Sequence, residues 1–168
     1  MTPDDSSASA PPAEDLDELR DWLIEESETR GNAVVSVAPD DGVGGYCFTA
    51  GAWRKHGVAE AVVVGLPDEL ATVLLDAYVD RAAMGAEFEP GALYEDFFDG
   101  VPIAFEPVAK DHYPAFFGSA FLLYPDGDFP ALQIIVPTPE GSWPWDSDAP
   151  EGFAQWQPVL TESGRPSF

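Results

Sequence analysis

The chain reads as an α+β fold: a small mixed or antiparallel sheet with an N-terminal helix, one long central helix and an extended aromatic C-terminal arm. Three observations predict it. Two β-prone runs near the start are separated by turn residues and imply a hairpin. A buried-looking strand then feeds directly into the clearest amphipathic helix, and further β-prone runs follow it. No strand–helix unit recurs, which argues against a repetitive βαβ arrangement.

Each element has a local reason. Residues 1–13 are mostly Ser, Ala, Pro and Asp with no large apolar side chain after Met1, so they predict a disordered acidic tail that precedes a single domain over 14–168. Over 15–30, Leu16, Leu19, Trp22 and Leu23 fall at helical spacing with acids on the outer positions, and Gly31 supplies a stop. Residues 33–37 and 46–50 form the hairpin, joined by Pro39-Asp40-Asp41-Gly42. Residues 61–65 form a strand that passes through Leu66 into a helix opened by Pro67, Asp68 and Glu69 and closed by Gly85. On that helix Leu70, Val73, Leu74, Ala77, Tyr78 and Arg81 recur at steps of three and four, so this face is expected to be core with Arg81 at its rim. A Glu-, Phe- and Gly-rich loop follows. Residues 101–108 then alternate, but Pro102 and Pro107 lack ladder donors and place the strand at a sheet edge. Residues 111–124 suggest a short helix and 129–136 a buried strand. Residues 137–168, with Trp143, Trp145 and Trp156 at no regular period, read as an arm packed on the domain or on a second subunit.

Charge sets the partners. Seven Lys and Arg stand against 31 Asp and Glu, a formal net charge of −24. Binding to phosphate backbones and to anionic lipid surfaces needs basic residues, so nucleic acid and membranes are not expected partners. A hydrated coat suited to high salt is favoured over a decoy that mimics DNA with ordered carboxylates. With Cys47 alone no internal disulfide forms, no signal segment is visible and no apolar run approaches the roughly 20 residues of a membrane span. These features fit a cytoplasmic protein.

Several segments occur in an order that resembles a known bacterial family. They are Tyr46-Cys47-Phe48-Thr49-Ala50-Gly51, His56-Gly57-Val58-Ala59-Glu60 with Val64-Gly65-Leu66-Pro67, Phe88-Glu89-Pro90-Gly91, and Phe129-Pro130-Ala131-Leu132-Gln133 with Pro144-Trp145. Together they resemble the domain of unknown function 4262 over about residues 30–160. The resemblance implies a Gly-His-Pro-Glu type turn, where this chain has Val58-Ala59 before Glu60. It implies no activity.

Candidate chemistry sits at few positions. His56 near Glu60 forms an acid/base couple if the carboxylate orients the imidazole; the competing reading is a surface turn with two incidental polar residues. Gln133, inside Leu132-Gln133-Ile134-Ile135, needs hydrogen-bond partners, supplied by a ligand or by neighbouring backbone. Trp143-Pro144-Trp145 offers flat apolar surface to a planar ligand or to the core. Cys47 reads as a half-buried hydrophobe, Asp126 and Asp128 as a turn, and Gly42, Gly44 and Gly45 match no phosphate loop. Two histidines cannot supply a three-histidine metal site, so no metal is expected. The ligand-binding candidates are thus His56, Glu60, Gln133, Trp143 and Trp145. They fit a noncatalytic small-molecule or protein-binding regulatory module, homodimers included. They also leave open an enzyme with a shallow pocket near His56, Glu60 and Gln133, of flavin type by analogy with small barrel-like α+β proteins.

Overall fold

A computed structural model describes residues 16–39, 43–90, 92–98, 101–138 and 140–165; the expected tail over 1–13 lies outside them. The chain runs α1 (Leu16–Arg30), β1 (Ala33–Val37), β2 (Tyr46–Ala50), α2 (Ala52–His56), β3 (Glu60–Val64), α3 (Asp68–Ala83), β4 (Leu93–Phe98) and β5 (Val101–Pro107). Next come a 3-10 turn (Lys110–His112), α4 (Tyr113–Phe116), a second 3-10 segment (Gly118–Leu122), β6 (Ala131–Ile135) and α5 (Phe153–Trp156). The six strands form one mixed sheet in the order β1-β2-β3-β6-β5-β4, antiparallel except for the parallel β3–β6 pair. This is the α+β class with a mixed sheet.

Two apolar layers sandwich the sheet. Every residue of β3 is buried, as a strand covered on both faces requires. Alternation sends Ala61 and Val63 toward α3, where Leu74, Leu75 and Tyr78 meet Ile103, Phe105 and Ile134. Val62 and Val64 point the other way, to Leu19 and Leu23 of α1, Tyr113, Phe117, Phe129 and Leu160. The C-terminal stretch is fastened by two amides acting in opposite directions. Gln133 on β6 donates to the Pro158 carbonyl at 2.6 Å and accepts from Leu160 N–H at 2.8 Å. Gln157 in turn accepts from Val136 N–H at 3.0 Å and donates to its carbonyl at 2.9 Å. Each side chain thereby stands in for a missing strand neighbour.

Four expectations are corrected. The strand over 101–108 is not at an edge: β5 lies between β6 and β4. The outer strand, β4, had read as loop because Leu93-Tyr94-Glu95-Asp96-Phe97-Phe98 does not alternate. The pairing shifts between Tyr94 and Phe98, so Pro102 falls opposite an irregular stretch where a lost ladder donor costs little. The buried face of α3 is Ala71, Leu74, Leu75, Tyr78 and Val79, while Leu70 and Val73 are exposed. Apolar residues cover so much of this helix that two overlapping stripes satisfy the period, and packing selects the one bearing small Ala71. Finally, the helix expected over 111–124 is a 3-10 turn, one α turn and a second 3-10 segment.

Candidate functional site

The Glu60 carboxylate is fully buried at the start of β3, under the first turn of α2. Its Oε1 accepts from the Thr49 hydroxyl at 2.7 Å and Ala52 N–H at 3.3 Å; its Oε2 accepts from Gly51 N–H at 3.0 Å, Trp53 N–H at 3.1 Å and the Tyr124 hydroxyl at 2.6 Å. Arg54 N–H donates to the Tyr124 oxygen at 3.0 Å. The four N–H groups that open a helix have no partners within it, and here the carboxylate of the next strand and a phenol from a distant segment take all four. Gly51 is required where it stands. Its φ is +100°, and a Cβ there would lie 1.8 Å from Ser27 Oγ. Burial pushes the Glu60 pKa up against the pull of its donors, and it drives the Tyr124 phenol far above its ordinary value with help from the Glu60 charge.

This knot separates the expected acid/base pair. His56 is exposed at the far end of α2, beside Gly31, while Glu60 holds its opposite end. Gln133, fully buried, spends both amide atoms on the C-terminal backbone. Trp143 and Trp145 stack at 5.2 Å with ring planes 7° apart, and Trp143 N–H donates to Asp146 at 2.9 Å. The Cys47 thiol is buried against Ser36 Oγ at 3.3 Å, and burial raises its pKa. Among the described residues no group of three or more His, Cys, Asp or Glu side chains is placed to hold a metal, and no helix is long and apolar enough to cross a membrane.

A concave feature lies elsewhere, on the α1 side of the sheet, between the β1–β2 hairpin and the 113–119 segment. Its larger lobe, about 400 Å³, is lined by Leu19, Val35, Phe48, Pro114, Gly118 and Ser119 among others. A second lobe of about 310 Å³ adds Ala38, Val43, Gly44 and Phe116. Val37, Tyr46 and Ala115 line both. The hairpin register builds one wall, setting Val35 opposite Phe48 and Val37 opposite Tyr46 on one face. The Tyr46 hydroxyl crosses to the other wall and donates to the Ala115 carbonyl at 2.7 Å. One end of that wall is thus pinned by Tyr46 and the other by Tyr124 on Glu60.

One atom of the groove stands out chemically. Among the described residues, Ser119 Oγ is the buried side-chain oxygen or nitrogen that lacks a hydrogen-bond partner. Leaving such a group unsatisfied costs about 1–3 kcal/mol, and Ser119 belongs to the lining of the larger lobe. Sequence reading found Tyr46 and Phe48 only as parts of a motif. It missed Ser119, because nothing local to Gly118-Ser119-Ala120 marks an unpaired hydroxyl.

The architecture is that of an α+β protein with a mixed six-stranded sheet and an open apolar groove. Residues 27–150 match the family described as Domain of unknown function (DUF4262), and the chain belongs to that family. No curated protein and no solved structure shows a significant match to it.

Proposed function

We propose that the protein is a noncatalytic, cytoplasmic binding module whose groove beside Tyr46 takes a small, mainly apolar molecule carrying one hydrogen-bonding group. The observation that carries this reading is the apolar lining of the groove, which includes Ser119 with its buried, unpartnered hydroxyl: ligand sites combine apolar walls with a few polar groups, and a rotation of this side chain would present its hydroxyl to the bound molecule. The charge of −24 narrows the ligand further: the field of the whole chain repels anions and favours neutral or cationic molecules.

Titration with a neutral solvatochromic dye bearing a carbonyl acceptor tests the proposal. Saturable one-to-one binding is expected, at least tenfold weaker for an anionic dye of equal apolar area. Ser119→Ala should weaken binding yet raise stability by about 1 kcal/mol, because it removes an orphaned polar group. Gly118→Leu should block the groove without unfolding the chain, as a Cβ at Gly118 meets nothing within 4 Å and its backbone is not left-handed. Equal binding by wild type and Gly118→Leu would refute the groove as the site.

A further inference from the structure

The opposite face of the sheet carries a second surface that the groove does not explain. On α3, Leu70 is 40% exposed and Val73 62% exposed, and Met84 just beyond its end is 88% exposed. Residues three, four and seven apart share a helix face, so Leu70, Val73, Ala77 and Met84 make one apolar lane along the outside of α3. At about 1.5 Å per residue the lane is roughly 21 Å long. Exposed Glu69 and Asp80 run beside it, with Asp76 between them held by Arg30 at 3.1 Å. On its other side the Arg81 guanidinium lies over the Phe97 ring, 4.1 Å from its centroid.

We infer that this face docks a basic, amphipathic helical segment of a partner protein. Apolar residues of the partner at three- and four-residue steps would cover Leu70, Val73 and Met84, and its Lys or Arg side chains would meet Glu69 and Asp80, the helix-on-apolar-face mode of recognition. Charge decides against a second copy. A two-fold contact sets the same patch against itself, so it would bring Glu69 and Asp80 toward their own counterparts on two chains of −24 each. Charge also selects a basic partner, for which the acid lane supplies attraction and register.

The probe is a synthetic 18-residue peptide with Leu at helical a and d spacing and Lys elsewhere, compared with a scrambled peptide of identical composition. Both are titrated against the full chain at low and moderate salt. The ordered peptide should bind at least tenfold more tightly than the scrambled one. That margin should vanish in Val73→Ser/Met84→Ser, which leaves the charge unchanged, and in Glu69→Gln/Asp80→Asn. It should survive in Asp21→Asn/Glu25→Gln on α1, which removes two charges elsewhere. All these side chains are exposed, and unchanged melting of the variants checks the fold. Equal affinity for both peptides, no binding, or face variants that keep the margin would overturn the inference. A dimer of the free chain abolished by Val73→Ser would assign the face to self-association instead.

Discussion

At the scale of single residues, Glu60 does the most. Its family-motif neighbours Thr49 and Gly51 are donors to it, and so is Tyr124, over sixty positions away. Glu60→Gln keeps one acceptor but turns an amide N–H₂ toward groups that are themselves donors. We expect a loss of about 3 kcal/mol, the upper end of the cost of orphaning a buried donor. The pH dependence has a definite sign. Burial raises the folded pKa of Glu60 above its unfolded value, so the folded chain holds that proton more tightly. The linked stability is fully present below the unfolded pKa of about 4.3 and is lost as pH rises through the folded value. Only the wild type carries this loss, so urea unfolding from pH 4.5 to 8 should show the gap to Glu60→Gln narrowing upward. Parallel curves would contradict the assignment. The sequence marked Glu60 as polar and close to His56, but closeness along the chain misled. A five-residue helix lies between them, and the carboxylate's partners come from β2, α2 and Tyr124.

At the scale of elements, period and punctuation located α1, the β1–β2 hairpin, β3, α3 and β6 close to their observed bounds. These segments carry a local signal: regular apolar spacing, or turn residues with one reading. What period could not fix was which way a broadly apolar helix faces. Val73 and Leu74 are adjacent and similar in sequence, yet Leu74 is buried against the sheet and Val73 is exposed. Leu74→Asp should therefore abolish cooperative melting, because an unpaired carboxylate would be buried, whereas Val73→Asp should shift stability by no more than about 0.5 kcal/mol. Thermal melts of the pair decide it, and similar behaviour would show that the helix is turned otherwise. The strand β4 stayed hidden because its acids sit mid-strand, where the register slips. The groove wall at 113–119 stayed hidden because its place depends on the two distant tyrosine contacts that pin it.

For the molecule as a whole, composition gave the charge but not its arrangement. Thirty-one acids against seven basic residues on a chain of 168 leave most carboxylates without a cation, and their mutual repulsion is screened over roughly 10 Å at 0.1 M salt. Sodium chloride should therefore raise the melting temperature, by about 3 °C or more between low and molar salt, the effect of roughly 1 kcal/mol on a chain of this size. A flat response would mean that the charges are already spaced or paired well enough. The central claim, that the groove beside Tyr46 is where this protein binds, is most directly tested by mapping backbone amide shifts while the neutral carbonyl-bearing dye is titrated in. The account predicts saturating perturbations confined to the groove lining, at Leu19 and at residues 35–38, 43–48 and 114–119, absent in Gly118→Leu. Perturbations centred on His56, Gln133 or Trp143 and Trp145, or none that saturate, would contradict it.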